Sequence, residues 1–533
     1  MIANASKSLA CAGVILGACL SPAAAGNEPR AIDGGQIAGV TGKDPQILVF
    51  KGIPYAAPPI GDLRWRAPQA VKPWNGVKIA GELGPSCIGR NFGAIPAGGM
   101  SEDCLYLNVW TPASAAKLPV LLWIHGGGFQ GGGGYHPSYD GEEFAKHGVV
   151  VVTFNYRVGL FGFLAHPGLT KEAGTHASGN YGLLDQLAAL KWVRRNIEKF
   201  GGDPAKVTIA GESAGSYSVS ALTASPSSRG LFRAAIAESG GYLGPKPDSM
   251  LSLERAEQVG AGFANALGAD GIADLRAMGA DRLMKAVEQM PDFFAFQPCV
   301  DGAFLREPVY DTYLNQQQAK VPILIGSNTD EGAFLLPPQR PSPDDLKAQI
   351  NKAYGEKSPV AHAAYPMATP ADFLRAELNL YADSGFNYPM WKWAMLHRQT
   401  GLPVYYYLFG RVPPSLSGQM YKGIARESIG AFHGDEVPYV FGNLGLVDSA
   451  LDGASRKARW EGVDFKLSQT MLNYWVNFVK TGDPNSADLP EWPRYEDSKA
   501  NPLMHFETQA GASSDRRTER MKILDAALDP GTK

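Results

Sequence analysis

Six short runs of apolar residues recur along the chain, each bounded by glycine, proline or polar residues. They lie at residues 118–125, 149–155, 207–210, 234–237, 322–327 and 403–409. Runs of this length without polar alternation are typical of strands that are buried on both faces of a sheet. Antiparallel sheets with one wet face alternate more strictly, so the pattern favours a mostly parallel sheet.

The segments between these runs show helical periodicity. Residues 182–200 place one apolar position on the same helix face at every turn, namely Leu183, Leu187, Leu190, Val193 and Ile197. Strands that alternate with such helices predict an α/β fold whose helices cover both faces of the sheet. We find no linker that divides residues 26–533, which predicts a single domain. Residues 34–68 begin with alternating apolar positions, and residues 50–68 are then predicted to form a surface connection rich in proline and glycine, with aromatic anchors.

One strand-like run leads directly into a motif that is typical of a catalytic serine. Residues 207–210 are followed by Gly211–Gly215 (GESAG) and then by a helical pattern of small residues at 217–223. In this strand–turn–helix context, G-x-S-x-G puts the serine on a tight turn above the sheet. The motif alone carries little weight in a chain with 62 glycines. Its context makes Ser213 the candidate nucleophile.

A second strand-like run ends in a glycine-rich turn. Residues 118–125 run into Gly126–Gly128 and Phe129, giving the string HGGGF. Because glycine has no Cβ, the backbone N–H groups of such a turn can approach a ligand closely. A strand followed by HGGG is the arrangement of the oxyanion hole in lipases and esterases. The turn is therefore a candidate for stabilising negative charge.

A nucleophilic serine needs a base, and four histidines follow Ser213 in the chain. His362, His397, His433 and His505 are consistent with the order serine, acid, histidine that α/β-hydrolases use. His397 falls in a helical pattern and His505 in a strand-like tail. His433 lies in a glycine-flanked loop, from which an imidazole can project freely, so it is the favoured base.

The acid that orients the base has two candidates. Asp330 and Glu331 both follow the strand-like run at residues 322–327. Either carboxylate could reach an imidazole, and Asp330 is also suited to cap the helix that follows. The pattern of residues leaves this choice open.

The net charge bears on whether the protein binds nucleic acid, and the N-terminal residues bear on where in or outside the cell the protein is found. The 533-residue chain has a net charge of −3, so it lacks the basic surplus of a nucleic-acid-binding protein. Residues 1–25 combine Lys7, an apolar segment and the small residues Ala23–Ala25 before Gly26, which predicts an exported protein with a cleaved signal peptide. The segment is too short to span a bilayer. Lipidation at Cys19 is the alternative.

Three cysteines remain once the predicted signal peptide, with Cys11 and Cys19, is removed. Export implies an oxidising compartment, and Cys87 and Cys104 lie close together among loop residues. We therefore expect a disulfide between them. Cys299 is expected to be a buried, unreactive thiol.

Two long stretches resemble a known family. FGGDPAKVTIAGESAG and EDCLYLNVWTP are similar to the two signature stretches of the type-B carboxylesterases, a family that includes the cholinesterases. HGGGF, NYRVGLFGFL, PCVDG, TDEGAFL, HGDEVPYVFG and YWVNFVKTGDPN match in the same order, from about residue 30 to Trp492. The resemblance implies an α/β-hydrolase fold and hydrolysis of small-molecule carboxylic esters, without a metal or an organic cofactor.

The resemblance also implies roles for particular residues. Ser213 is the nucleophile, Glu331 rather than Asp330 is the acid, and His433 is the base. The oxyanion is held by three backbone N–H groups, those of Gly127, Gly128 and Ala214. The family likewise pairs Cys87 with Cys104. Glu212 and Glu436 are expected to support the histidine, and Asp435 to be a solvated neighbour.

Departures from the family pattern narrow the expected substrate. Cholinesterases carry a choline-binding tryptophan in the loop closed by the first disulfide, whereas residues 88–103 contain none. Ala269 and Asp274 stand where many relatives have a second disulfide. Choline esters are therefore not expected. Amides, carbamates or a specialised polyester are the alternative substrates for the same catalytic residues. The family also includes non-catalytic adhesion proteins, but these have lost triad residues, whereas this chain keeps Ser213, Glu331 and His433.

The stretch PDFFAFQPCVDG at residues 291–302 resembles the segment that lines the acyl pocket of cholinesterases. Alignment on its shared Phe-x-Pro-x-x-Asp-Gly puts Phe294 at the position of a pocket residue. In that role the ring would favour short acyl groups. The alternative is that Phe293, Phe294 and Phe296 are all ordinary core residues.

Overall fold

The computed structural model describes residues 28–92, 95–244, 250–412, 414, 420–447, 460–496 and 501–528. The predicted signal peptide at residues 1–25, with Cys11 and Cys19, lies outside the described residues. Everything below refers to the described part of the chain.

Eleven strands of the described chain form one twisted sheet. In chain order they are β1 Val40–Thr41, β2 Ile47–Pro54, β3 Tyr106–Pro112, β4 Leu118–Ile124, β5 Val150–Phe154, β6 Gly202–Glu212, β7 Ala234–Glu238, β8 Ile323–Asn328, β9 Val404–Phe409, β10 Pro502–Phe506 and β11 Ala510–Ser514. Their order across the sheet is β11-β10-β9-β8-β7-β6-β4-β5-β3-β2-β1.

The centre of the sheet is parallel and its margins are antiparallel. Strands β5, β4, β6, β7, β8, β9 and β10 pair in parallel. Strands β3, β2 and β1 on one side, and β11 on the other, pair antiparallel. The prediction of a mostly parallel sheet is confirmed. The carboxyl ends of β4, β6, β7 and β8 consequently meet at one edge, where ligands bind in open α/β sheets.

The helices cover both faces of this sheet. Their bounds are Glu142–Lys146, Gly159–Phe163, Pro167–Glu172, Tyr181–Asn196, Ala214–Ala224, Leu253–Ala266, Ile272–Ala277, Ala280–Glu288, Val309–Leu314, Pro343–Tyr354, Ser358–His362, Pro370–Ala382, Tyr388–His397, Val437–Phe441, Gly462–Thr481 and Thr518–Leu528. No helix among the described residues is long and apolar enough to cross a bilayer.

Short strands outside the main sheet form four small separate sheets among the described residues. One three-stranded sheet joins Arg30–Ile32, Gly35–Ala38 and Val77–Ile79. Three two-stranded pairs join Ser86–Cys87 with Met100–Ser101, Leu251–Ser252 with Cys299–Val300, and Met420–Tyr421 with Ile424–Ala425.

Successive residues of a central strand enter two different cores. In β4, Leu122 and Ile124 pack in one buried cluster, with Leu183 of the helix Tyr181–Asn196. Leu121 and Trp123 pack in the other, on the opposite face. Because each strand is covered on both sides, its sequence shows a continuous apolar run. The six runs seen in the sequence all lie in strands, β4 to β9.

The prediction of a surface connection at residues 50–68 is wrong in part. Residues 47–54 form strand β2 of the main sheet, between β1 and β3. Phe50 is fully buried, with its ring 5.0 Å from that of Phe200. Tyr55 and Trp65 beyond the strand are buried, in agreement with the prediction of aromatic anchors. The glycines and prolines of this segment concealed a strand, because they interrupt its apolar pattern without ending its pairing with β3.

Cys87 and Cys104 are joined by a disulfide, 17 residues apart. Cys299 is free and buried, and its burial raises the pKa of the thiol. A thiol that is both shielded and hard to ionise is a poor nucleophile. Cys299 accordingly acts as a small core residue.

Candidate active site

Ser213 lies on the sharp turn between β6 and the helix Ala214–Ala224. Its φ angle is 54°, in the left-handed region that side chains other than glycine rarely adopt. The turn is held from both sides, because the Ser213 N–H donates to the Glu238 carbonyl at 2.9 Å and the Ser213 carbonyl accepts from the Tyr217 N–H at 2.9 Å. The side chain makes no capping hydrogen bond to the helix. The hydroxyl is thus left available above the sheet.

The glycines around Ser213 are required by close approach of the backbone. A Cβ on Gly215 would lie 2.0 Å from the carbonyl oxygen of Ile124, and one on Gly211 would lie 2.6 Å from the carbonyl carbon of Gly215. Any side chain at these positions would push β6 and its helix away from β4. The sterically demanding turn therefore explains the G-x-S-x-G spacing.

The end of β4 comes directly against this turn. A Cβ on Gly126 would lie 3.1 Å from the Ser213 Cβ, so the glycine-rich turn and the serine are in contact. Gly127 has a φ of 110°, and a Cβ there would lie 2.3 Å from the Gly131 carbonyl oxygen. The N–H groups of Gly127 and Gly128 make no hydrogen bond within the described chain. These free donors lie beside the serine, as does Ala214 at the start of the helix.

Glu331 and His433 are joined by a short hydrogen bond. Oε2 of Glu331 lies 2.6 Å from Nδ1 of His433. The other carboxylate oxygen, Oε1, accepts from the Ser239 hydroxyl at 2.5 Å and from the Asn328 N–H at 2.6 Å. Because both oxygens are engaged, the carboxylate has one orientation, and it fixes the imidazole with Nε2 away from the acid.

Asp330 takes a different part in the structure. Its carboxylate accepts from the Gly430 N–H at 2.8 Å and forms an ion pair with Arg375 at 2.5 Å. It does not cap the short helix that starts at Glu331. Asp330 therefore anchors the chain three residues before His433.

Two phenylalanines, which also contact each other at 5.8 Å, pack against the imidazole of His433. The Phe334 ring stacks on it at 4.7 Å with an interplanar angle of 20°, and the Phe386 ring lies at 4.5 Å. Ser239, Asn328, Phe334 and Phe386 were not identified from the sequence. Ser239 and Asn328 stand at the carboxyl ends of β7 and β8, and that position was the signal that could have identified them.

Nε2 of His433 lies 3.2 Å from Oε1 of Glu212, within ion-pair distance. The angles do not make a hydrogen bond, and both atoms lack a hydrogen-bond partner among the described residues. Nε2 is therefore free to exchange a proton with another group. Burial on its own would lower the pKa of His433, but the carboxylates of Glu212 and Glu331 outweigh it and raise the pKa.

Besides Glu331, three buried carboxyl groups belong to this part of the structure, namely those of Glu212, Glu238 and Glu436. Burial raises the pKa of Glu212 to about 7 and that of Glu238 to about 8, and it raises the pKa of Glu436 strongly. Glu212 and Glu238 lie opposite each other on β6 and β7. Glu436 accepts a hydrogen bond from the Asn328 side chain at 2.5 Å. Glu212 thus lies close to the histidine, as the resemblance implied, and Glu436 is linked to Glu331 through Asn328.

Asp435 corrects one expectation, because it is not solvated. Only 1% of the residue is exposed, and its Oδ2 accepts from the Phe432 N–H at 2.7 Å. The same oxygen lies 3.6 Å from a guanidinium nitrogen of Arg426. Asp435 fastens the loop on which His433 stands.

These groups open into a cavity of about 590 Å³. Ser213 and His433 line it together with Gly127, Gly128 and Ala214. Most of the remaining wall is aromatic, including Phe92, Phe293, Phe294, Phe334, Phe386 and Tyr242. No lysine or arginine lines the cavity in the described part of the chain. An apolar pocket with a few convergent polar groups is the usual form of a small-molecule site.

The three phenylalanines of residues 293–296 differ in their surroundings. Phe293 and Phe294 are exposed by 38% and 41% and line the cavity, whereas Phe296 is buried against Phe263. The Phe294 Cε1 would lie 3.1 Å from a Cβ on Gly128. Of the three, only Phe296 is an ordinary core residue.

Comparison with known proteins adds to this geometry. The sequence model of the carboxylesterase family matches residues 29–524. The chain is similar to fumonisin B1 esterase of Sphingopyxis macrogoltabida, with 39% identity over 511 residues that cover 93% of this chain and 90% of that protein. It is also similar to para-nitrobenzyl esterase of Bacillus subtilis (strain 168), with 36% identity over 499 residues that cover 89% of this chain and 94% of that protein.

Solved structures show the same likeness. A structure of a PNB esterase has a TM-score of 0.80 and 33% identity, covering 95% of this chain and 100% of that chain. The carboxylesterase EST55 of Geobacillus stearothermophilus has a TM-score of 0.79 and 32% identity, covering 94% and 100%. Together with the sheet described above, these likenesses confirm the predicted α/β-hydrolase fold.

Proposed function

This chain belongs to the carboxylesterase family and is a carboxylic-ester hydrolase, and on this premise we propose that it works through an acyl-enzyme formed on Ser213. The observation that carries the proposal is the 2.6 Å bond between Glu331 and His433 beside the cavity that Ser213 also lines. A serine hydroxyl, an imidazole and an orienting carboxylate are the three parts that acyl transfer requires.

In the first step, Ser213 Oγ attacks the carbonyl carbon of the ester while its proton passes to Nε2 of His433. Glu331 holds the imidazole with its hydrogen on Nδ1, so that Nε2 is the basic nitrogen. It also stabilises the imidazolium that forms. The free Nε2 of His433 and the free hydroxyl of Ser213 support this assignment.

The negative charge that develops on the carbonyl oxygen is stabilised by the N–H groups of Gly127, Gly128 and Ala214. Such preorganised donors act only as charge develops, and each contributes roughly 2.7–4 kcal/mol in comparable sites. Gly127 and Gly128 line the cavity together with Ser213, and their N–H groups are unpaired within the described chain, which supports this role.

The tetrahedral intermediate collapses as His433 gives its proton to the leaving alcohol, which leaves the acyl group on Ser213. Water then attacks the acyl-enzyme and His433 takes its proton. Collapse of the second intermediate returns the proton to Ser213 and releases the carboxylic acid. Each proton that leaves a nucleophile is returned to a leaving group, so no further reagent is consumed.

The preferred substrates are uncharged esters with a short acyl group. The aromatic lining and the absence of lysine or arginine from the described cavity wall favour apolar, neutral groups. Phe294 stands next to Gly128 and limits the space beside the reacting carbonyl.

We also propose that the enzyme is exported after cleavage near Ala25. The disulfide between Cys87 and Cys104 supports this proposal, because such bonds persist in oxidising compartments. Mass spectrometry of the mature protein should find Gly26 at the N-terminus. A lipidated Cys19 there would replace this proposal with the lipoprotein alternative.

The proposed function is tested by labelling and by kinetics. A fluorophosphonate should modify Ser213 in the wild type, and Ser213→Ala should lose the label and lower kcat by about 10⁴-fold or more. Ser216→Ala is the matched control, because that hydroxyl is bound to the Gly240 carbonyl at 2.5 Å. The control should keep both label and activity. If Ser213→Ala retained more than about a tenth of kcat, Ser213 would not be the nucleophile.

A further inference from the structure

His136 lines the same cavity as Ser213 and His433 but has no part in the proposed chemistry. It lies on the loop after the oxyanion glycines, directly before the short helix Pro137–Tyr139. Its ring is partly buried, and its centroid lies 5.5 Å from that of Tyr139. The ring is thus held in place at the wall of the substrate cavity.

The hydrogen bond that His136 makes fixes its tautomer. The Ser138 N–H donates to Nδ1 at 3.3 Å, so Nδ1 is the acceptor. A neutral imidazole carries a hydrogen on one nitrogen only, which is then Nε2. Burial lowers the pKa of His136 to about 4, so the ring stays neutral in the physiological range. His136 therefore presents an N–H donor on Nε2.

This donor has no partner in the described part of the chain. The Tyr217 hydroxyl of the cavity wall differs from His136, because it already donates its hydrogen to the Gly385 carbonyl. An unpaired donor in a largely apolar cavity gains most from an acceptor that arrives with the ligand.

We propose that His136 is a specificity-determining residue, and that its Nε2–H donates a hydrogen bond to a second oxygen acceptor of the substrate. That acceptor is an uncharged ether, hydroxyl or carbonyl oxygen outside the reacting ester, in either the acyl or the alcohol half. His136 takes no proton in the reaction. The proposal rests on the proposed function, because it assumes that the ester binds in this cavity.

The test compares esters that differ only by one oxygen. For the acyl half, the pair is 4-nitrophenyl 4-methoxybutanoate and 4-nitrophenyl hexanoate. For the alcohol half, the pair is 3-methoxypropyl butanoate and pentyl butanoate. Each pair has equal chain length, so the ratio of kcat/KM for the ether over the alkyl ester isolates the acceptor.

In at least one pair, His136→Phe should lower this ratio by about three- to tenfold, the usual range for one neutral hydrogen bond. The pair that responds identifies the half of the substrate that His136 contacts. His136→Gln, which keeps an N–H donor, should restore part of the ratio. Tyr217→Phe is the matched control and should leave the ratio unchanged, because the Tyr217 hydroxyl already donates its hydrogen to the Gly385 carbonyl.

The two possible failures are distinguishable. If His136→Phe hydrolyses both pairs with wild-type ratios, the role of His136 is wrong while the ester hydrolase stands. If the wild type hydrolyses none of the four esters, and fluorophosphonate does not label Ser213, the proposed function itself fails. A ratio that falls equally in Tyr217→Phe would show a general change of the cavity wall and would also overturn the proposal.

Discussion

Nδ1 of His433 lies 2.6 Å from Oε2 of Glu331, although the two residues are 102 positions apart in the chain. The adjacent acid, Asp330, bonds to Gly430 and Arg375 instead. Neighbouring carboxylates thus serve the same loop in two ways. One orients the imidazole, and the other fixes the backbone that carries it.

Glu331→Gln should therefore lower kcat far more than Asp330→Asn. An amide in place of the acid cannot stabilise the imidazolium and favours the wrong tautomer, which in a comparable triad costs about 10⁴-fold in kcat. Asp330→Asn weakens an ion pair and one bond to Gly430, so it should lower the free energy of unfolding by about 1–3 kcal/mol. Steady-state kinetics and denaturant unfolding of both variants separate the two effects. Equal losses of kcat would contradict the distinction.

The rate should also depend on the protonation of His433. Only the neutral imidazole acts as a base, so kcat/KM should fall as pH drops through its pKa. Burial opposes ionisation, but Glu212 and Glu331 raise the pKa, so the midpoint should lie above about 6.5, the ordinary value for histidine. Glu212→Gln should move the midpoint to lower pH. A flat profile between about pH 5 and 8 would argue against His433 as the base.

Local patterns in the sequence identified those parts of the site that depend on neighbouring residues. The turn at Gly211–Gly215 follows from a strand, a helix and two glycines, and the close contacts of Gly211 and Gly215 account for that spacing. The choice of Glu331 over Asp330 does not follow from such a pattern. It depends on the loop of His433 meeting β8, a contact between segments about a hundred residues apart.

Long-range packing also explains what the sequence did not predict. Phe334 and Phe386 approach His433 from two separate segments, and neither position differs in pattern from an ordinary apolar residue. The segment from Ile47 to Pro54 contains glycine and proline, and its strand became visible only through its pairing with β3. Tertiary contacts override local propensity at such positions.

The buried carboxyl of Glu238 should make the protein less stable as pH rises. Burial raises its pKa to about 8, although a hydrogen bond from Trp475 at 2.8 Å opposes the shift. Between about pH 4.3 and 8 the unfolded chain loses this proton while the folded chain keeps it. The free energy of unfolding therefore falls with rising pH in that window, by on the order of 1 kcal/mol per pH unit.

Glu238→Gln should remove this pH dependence, because the amide never ionises and its oxygen can still accept from Trp475. Denaturant unfolding at pH 5 and pH 8 measures the effect. The variant should gain stability relative to the wild type as pH rises. Parallel stability curves for the two proteins would show that Glu238 does not hold its proton in the folded state.

The ring of Phe294 should set the acyl length that the enzyme accepts. It lies beside Gly128 and against the Phe293 ring at 4.8 Å, with 41% of the residue exposed. Phe294→Ala removes a ring from the cavity wall without opening the core. It should therefore raise kcat/KM for long acyl esters relative to short ones, by roughly tenfold or more. A series of 4-nitrophenyl esters from acetate to decanoate measures the shift.

Phe296→Ala provides the contrast, because this neighbouring ring is buried against Phe263 at 5.4 Å. Its loss should lower the free energy of unfolding by about 3–5 kcal/mol and leave the chain-length profile unchanged. Phe294→Ala should show the opposite result, a changed profile with little loss of stability, since an exposed ring contributes little to the core. If Phe294→Ala instead behaves like Phe296→Ala, Phe294 supports the fold and another residue limits the acyl group.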